Sequence, residues 1–546
     1  MKLKIIGFLT FVILFLTACS SAGNMDNMDH SNMEEKDTNK EQIVDKKLPK
    51  TSNTEILTGK TFNIVAKEAN HQLNEKVNVT AWTFNGSVPG SQIRVKEGED
   101  LKINLKNELP DPVSIHWHGI PLPNNMDGIP GVTQNAVQPG ESFTYKFNAS
   151  VPGTYMYHTH QDGVNQVDKG LYGSLIIEPK EVTYDRDYSL MLDEWMSNPE
   201  EGMDMEGMDD MEGMDMEGMD DMEGMDHSNR SGMEDSDSES DKDQAEGSED
   251  AKNMMAHDMS NYDIFTINGK SGKEVEPLTV KEGEKVRLRL ANIGYMSHKI
   301  HLHGHNFKVV AIDGQELNEP QEIKDQLLTI APGERYDIEF VADNPGKWYL
   351  ECHGEMEGTA GMKTVIQYDG SSESNDKPNE KEELPVFNFT TYGESTETEF
   401  TLDQKYDVEY TMDLNTQMKG NDMAYTINGK TFPDIENLEV SKGDFVKVKL
   451  VNNSESDDHP MHLHGHFFQI LSKNRKPVEG SPIYKDTVNL KPGDEYVVAF
   501  KADNPGDWMF HCHDLHHASA GMMNIVKYKG FEPDFTPDPA ANNKPE

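Results

Sequence analysis

Phe265-Thr-Ile-Asn-Gly-Lys270 returns as Tyr425-Thr-Ile-Asn-Gly-Lys430, and Ala342-Asp-Asn-Pro-Gly-Lys-Trp-Tyr-Leu-Glu-Cys-His353 returns as Ala502-Asp-Asn-Pro-Gly-Asp-Trp-Met-Phe-His-Cys-His513. Both pairs are offset by the same number of positions, so the chain repeats a unit larger than a supersecondary motif. A looser copy lies upstream. Gln138-Pro-Gly-Glu141 parallels Ala331-Pro-Gly-Glu334 and Lys491-Pro-Gly-Asp494, and Val151-Pro-Gly-Thr-Tyr-Met-Tyr-His158 parallels Asn504-Pro-Gly-Asp-Trp-Met-Phe-His511. Within each copy, segments such as Asp100-Leu-Lys-Ile-Asn-Leu105, Lys285-Val-Arg-Leu-Arg-Leu290 and Phe445-Val-Lys-Val-Lys-Leu450 alternate polar and apolar residues between Gly and Pro punctuation. That period of two predicts antiparallel β-sandwiches with almost no helix. The predicted domains are 54–180, 181–370 and 384–530, with 371–383 as a linker and 531–546 as a polar tail.

The pattern breaks down between about 200 and 260, where Gly-Met-Asp-Met-Glu units recur in tandem and branched or aromatic residues are almost absent. Such a stretch cannot bury enough apolar surface to fold and is expected to be a disordered insert in the second domain. Acidic residues are concentrated there, and the whole chain carries a formal charge of -47. A surface this acidic excludes nucleic acid as a partner and favours cations. Three cysteines rule out a disulfide framework. One of them, Cys19, closes a basic and then apolar leader that ends Leu16-Thr17-Ala18-Cys19. The leader is too short to span a bilayer comfortably and resembles a bacterial lipoprotein signal. Residues 1–18 would be removed, Cys19 acylated, and 19–53 would form a polar tether holding the body outside the cytoplasmic membrane.

Four clusters carry the chemistry: His116-Trp-His118, His158-Thr-His160, His459-Pro-Met-His462-Leu-His464 and His511-Cys512-His513-Asp-Leu-His-His517-Ala-Ser-Ala-Gly-Met522. Residues two apart on a strand share a face, so each His-x-His sets two imidazoles side by side, and Cys512 points away from His511 and His513. On the cysteine side, Cys512, His459, His517 and the soft thioether of Met522 make the donor set of a blue copper site, a poorer match to zinc. On the other side His116, His118, His158, His160, His462, His464, His511 and His513 remain, enough for three coppers. Half come from the first repeat and half from the third, which places the cluster at their interface.

These motifs resemble the multicopper oxidases, in the three-domain, laccase-like branch that includes bacterial copper-tolerance enzymes. The resemblance implies an all-β fold of three consecutive cupredoxin-like Greek-key sandwiches and four copper ions per chain. It implies a type 1 copper on His459, Cys512, His517 and Met522, and a type 2 copper on His116 and His462. One type 3 copper would sit on His118, His158 and His513 and the other on His160, His464 and His511. Electrons would pass one at a time through Cys512 to the trinuclear cluster, where four reduce O₂ to water. Asp127, in Asn-Met-Asp127-Gly, stands where the family places a carboxylate near the type 2 copper and its water channel. Asp-Gly is also a turn signal in its own right.

Two departures from the family pattern stand out. Ala518 follows the last type 1 histidine, where many relatives carry a carboxylate; Asp514 is the nearest substitute. The second repeat keeps His298, His301, His303, Cys352, His353 and Met362 in register but has Glu351 and Glu357 in place of two imidazoles. It is expected to be a copper-free relic, with a residual site on Cys352, His298, Met362 and Glu357 as the alternative.

The electron donor is read from the insert. Thioethers suit Cu(I), and Met203, Met205, Met208, Met211, Met214 and Met216 are candidate accessory ligands, as in the Met-rich segments of copper-tolerance oxidases. A similar Met-rich run spans Met25 to Met33. The expected activity is oxidation of Cu(I) to Cu(II) for detoxification, with laccase-type oxidation of phenols, by a monomer. The alternatives are a laccase, ferroxidase or manganese oxidase that uses copper only as cofactor, or a copper-binding tolerance protein without turnover.

Overall fold

The computed structural model describes residues 48–198, 259–371, 383–419 and 422–546. The leader with Cys19, most of the tether, the body of the Met-rich insert and most of the 371–383 linker lie outside these residues. The described residues form one compact unit.

The protein is all-β, and its alternating segments become strands that bury one face. In Phe445–Asn452, Val446, Val448, Leu450 and Asn452 are buried while the residues between them are half-exposed. Each repeat divides into two sheets. One five-stranded sheet per repeat carries the His and Cys segments, and its order is the same in the second and third. Leu278–Val280, Lys363–Tyr368, Lys347–Cys352, His298–Leu302 and Leu328–Ile330 correspond to Leu438–Val440, Met523–Tyr528, Asp507–Cys512, His459–Leu463 and Thr487–Leu490. Register is preserved too: Ile300 faces Cys352 and His301 faces Glu351, as Met461 faces Cys512 and His462 faces His511. The sheets are mixed and not purely antiparallel as the alternation suggested. Leu438–Val440 runs parallel to Met523–Tyr528, and Val408–Lys419 runs parallel to Phe445–Asn452. Strands adjacent in sequence cross between the two sheets of a sandwich, so some neighbours meet in the same direction.

The repeats are locked together by buried charge. Between the first and second, Arg94 binds Asp187 at 2.8 Å, and the Thr154 hydroxyl donates to Asp337 at 2.6 Å and accepts from Arg289 at 2.8 Å; within the second, Arg289 ties Asp187 and Asp337 together at 2.9 Å and 2.8 Å. Between the second and third, Arg335 grips Asp486 through two 2.6 Å bonds, and Lys485 binds Asp313 at 3.1 Å and Glu334 at 3.0 Å. The segment 538–546 straps the third repeat to the first. Gln138 Nε2 donates to the Ala541 carbonyl, Gln161 Nε2 to that of Asn542, and Asn543 Oδ1 accepts from the Ala136 amide.

Candidate metal centre

His116 and His118 lie on one face of the short strand His116–His118, while Trp117 turns into the core against Tyr145 and Phe147. That strand pairs with Gly153–His158, which delivers His158 and, just beyond its end, His160. The third repeat repeats the device: His462 pairs with His511, and His464 and His513 lie just beyond the ends of their strands. The two halves meet as stacked rings, His116 on His464 at 4.0 Å and His118 on His462 at 3.8 Å between centroids. Three buried groups result, each with its ligating atoms within 4.8 Å of one another: His116, His118 and His462; His118, His158 and His513; His160, His464 and His511. The last two coincide with the trios expected from the sequence, and the first contains the expected pair.

Hydrogen bonding orients these rings for a metal. Nδ1 of His116 donates to the Asp127 carbonyl at 2.9 Å, that of His158 to Thr159 at 2.8 Å, that of His462 to Asp486 at 3.0 Å and that of His511 to Cys512 at 2.8 Å. Such a bond fixes the tautomer and leaves the Nε2 lone pair pointing inward. Nε2 of His116, His158 and His462 is buried with no hydrogen-bond partner among the described residues, as are both ring nitrogens of His513. Burial and neighbouring imidazoles hold His118, His158, His464, His511 and His513 well below the usual histidine range, in the neutral form that ligates metals. Neutral imidazoles with orphaned inward nitrogens fit copper.

Across the same strand lies the cysteine site. His459 Nδ1 and His517 Nδ1 are 3.2 Å apart, and Cys512 Sγ is 3.9 Å from the first and 3.6 Å from the second. Met522 is fully buried, and its carbonyl accepts from the Cys512 amide at 3.0 Å. Ser454 Oγ holds Nε2 of His459 at 2.7 Å, and Tyr425 stacks on His517 at 4.0 Å. Burial pushes the Cys512 thiol above its usual range, so binding a metal must expel its proton. Cys512 is flanked directly by His511 and His513, so a single peptide bond joins a ligand of one centre to a ligand of the other.

Carboxylates support both centres. Asp127 accepts from His464 Nδ1 at 2.9 Å and stands 3.3 Å from His116 Nδ1. Gly128, at φ +83°, lets the chain turn there; a Cβ would strike the Ile115 carbonyl. The turn and the ligand-holding role of Asp127 are therefore one feature. Asp514 lies on the other side. It caps the helix Leu515–Ser519 by accepting from the His516 amide and stands 3.5 Å from His517 Nε2 of the cysteine site. Two carboxylates escape sequence reasoning. Asp486, in the turn before Thr487–Leu490, is 3.2 Å from His118 Nε2 and 3.4 Å from His462 Nδ1, and Arg335 holds it ionised. Glu546 reaches His160 Nε2 at 2.8 Å and His511 Nδ1 at 3.5 Å. Neither sits in a recognisable motif.

The second repeat holds a collapsed counterpart. Cys352 Sγ is 3.9 Å from His298 Nδ1 and Met362 is buried beneath it, but Nε2 of His298 is 3.0 Å from Glu194. Burial opposes charge on His298, yet Glu194 outweighs it and raises the imidazole to about 10. A protonated ring is a poor ligand. The side chain of Glu357 lies outside the described residues.

A cavity of about 470 Å³ joins this relic to the cysteine site. Its walls include Met259, Met296 and Met356, the acids Asp457 and Asp458, and His517.

Three β-sandwiches with a Cys-His-His-Met set beside an eight-imidazole cluster define a copper-dependent oxidoreductase. Multicopper oxidase models match residues 65–182, 245–371 and 404–530, and the chain belongs to the multicopper oxidase family. It is 30% identical to multicopper oxidase MmcO of Mycobacterium tuberculosis over 458 residues, covering 82% of this chain and 83% of the relative. Copper resistance protein A of Escherichia coli is 24% identical over 83% of this chain and 90% of its own. Among solved structures, the laccase of Botrytis aclada superposes with a TM-score of 0.64 at 24% identity, over 87% of this chain and 88% of that one. That likeness is one of fold.

Proposed function

We propose that the protein oxidises Cu(I) to Cu(II) outside the cytoplasmic membrane and passes the electrons to O₂. The observation that carries this reading is the cavity over His517, where three thioethers and four carboxylates, Glu355, Asp457, Asp458 and Asp514, gather at the edge of the cysteine site. Soft sulfur donors select Cu(I), and acids favour the departing Cu(II). Met259, in this wall, is the last methionine of the Met-rich stretch. Relatives named copper resistance protein A support the same reading.

Four resident coppers are assigned as in the family. His459, Cys512, His517 and Met522 would hold type 1, and His116 and His462 type 2. The trios His118, His158, His513 and His160, His464, His511 would hold the type 3 pair. When bound, copper supplies single-electron acceptance at the thiolate set and four-electron reduction of O₂ to water at the imidazole cluster. The protein's part is geometric and electrostatic. His517 presents its Nε2 edge toward the cavity and Asp514. Asp127 and Asp486 fix the imidazoles, and burial excludes water from both sets. The stoichiometry is four Cu(I), one O₂ and four protons to four Cu(II) and two waters. In the second repeat, Glu194 on His298 supports a copper-free blue-type site. Domain limits at 54–180, 181–370 and 384–530, acylation at Cys19 and a monomeric state belong to the same reading.

A cavity of this size also admits a small phenol, which favours laccase-type turnover as a second activity. The test follows O₂ with an electrode while Cu(I) is added to the copper-loaded protein. Uptake of about one O₂ per four Cu(I) without peroxide is expected. No uptake above a protein-free control, with phenols still oxidised, would transfer the assignment to laccase.

A further inference from the structure

The second repeat contains another group of ligating side chains that the function above leaves idle. His301 lies on the strand His298–Leu302 with His303 just beyond it, and Glu351 lies on Lys347–Cys352 with His353 just beyond. They occupy the register of His462, His464, His511 and His513. In the third repeat those four face the imidazoles of the first. Here the side chains of His353 and Glu351 are 25% and 23% exposed, so the cluster opens to solvent.

The geometry is that of a small metal site. Ligating atoms of His301, His303 and His353 fall within 4.8 Å of one another, the same spacing as in the buried trios. Ring centroids are separated by 4.1 Å between His301 and His303, 5.1 Å between His301 and His353, and 5.8 Å between His303 and His353. Both ring nitrogens of His301 are buried with no hydrogen-bond partner among the described residues. Buried polar atoms are rarely left so. Glu351 brings Oε1 to 2.9 Å from His303 Nε2 and 3.8 Å from His353 Nε2, while Lys363 takes its other oxygen at 2.5 Å. Asp325 stands 3.6 Å from His301 Nε2. Its Lys324-Asp325 repeats Lys485-Asp486, the pair that places a carboxylate beside His462.

We propose that His301, His303 and His353, with Glu351 as a fourth donor and Asp325 at the rim, bind one Cu(II) ion at a fifth site, independent of the four resident coppers. The donors are imidazole and carboxylate with no thiolate or thioether, which favours the divalent over the cuprous ion. Among divalent first-row metals such a set binds copper most tightly. The site is open on one side, as suits an ion that exchanges with solvent.

The test uses the full-length, copper-loaded protein, as wild type, His353→Ala and Glu351→Gln, each titrated with Cu(II) against a competing chelator. Bound copper is counted and its paramagnetic resonance recorded. Wild type is expected to take up one Cu(II) beyond the resident set, with nitrogen splitting in its spectrum. His353→Ala should lose that ion, and Glu351→Gln should bind it about tenfold more weakly. The blue absorbance of the cysteine site and phenol oxidation should be unchanged in both, which separates failure here from failure of the four-copper assignment. Equal copper content and equal spin count in wild type and His353→Ala would overturn the proposal. So would the absence of an extra Cu(II) in the unmutated protein, whatever the variants do, or uptake of Zn(II) in preference to Cu(II).

Discussion

Asp127 shows how much one side chain does at this centre. Its carbonyl accepts from His116, its carboxylate from His464, and its Gly neighbour provides the turn that makes both possible. Asp127→Asn keeps the turn chemistry and the shape but weakens the hold on two imidazoles from different repeats. Loss of such a supporting partner costs about 10- to 100-fold in metal affinity or activity. The expected result is O₂ consumption reduced by that factor with the blue absorbance of the Cys512 site retained; full activity would remove Asp127 from the machinery. Cys512→Ser makes the complementary case: it should abolish both the blue absorbance and O₂ consumption driven by Cu(I). Gly119, at φ +83°, is a further sensitive point, since a Cβ there would lie 2.5 Å from both Arg335 and Asp486. Gly119→Ala should lower the copper content of the purified protein as measured by metal analysis.

At the scale of elements, the contact between the first two sandwiches rests on Arg94, Asp187, Arg289, Asp337 and Thr154. Burial alone would raise the Asp187 carboxyl, but Arg289 and Arg94 hold it below the usual carboxylate range. A folded-state value below the unfolded one stabilises the protein above about pH 4 and is lost as pH falls through the folded value. The acid limb of a stability–pH curve should therefore be shallower in Asp187→Asn, and an unchanged slope would show that these arginines do not carry the linkage. Arg289→Ala, which removes the partner shared by two buried carboxylates, should cost about 3 kcal/mol in denaturant unfolding. None of these partners was legible in the sequence, where Arg287 and Arg289 are simply the polar positions of an alternating strand. Strand type and repeat order were legible, because they depend on period and spacing within one short segment; the ligand trios came from the family resemblance, since each draws on both the first and the third repeat. Asp486, Glu546 and the arginine clamps depend on which strands from separate repeats are brought together, and no local pattern encodes that. The parallel pairs escaped for the same reason.

For the whole molecule, the acidic Met-rich insert and the cavity over His517 form one functional unit in the proposed reaction. Deleting 203–258 while keeping Met259 should slow Cu(I) oxidation more than phenol oxidation, as read by O₂ uptake with each donor. Equal slowing would make the insert structural. Removing 538–546 should speed the loss of copper to a chelator, because that strap delivers Glu546 against His160 and His511. The eight imidazoles are divided evenly between His116–His160 and His462–His513, with the entire second repeat between them in the chain. A nascent or truncated polypeptide that ends before the third repeat thus presents His-x-His pairs but no enclosed cluster. It lacks Cys512 as well. Both proposed resident copper centres are therefore completed only by the third repeat, the imidazole cluster only when that repeat closes on the first.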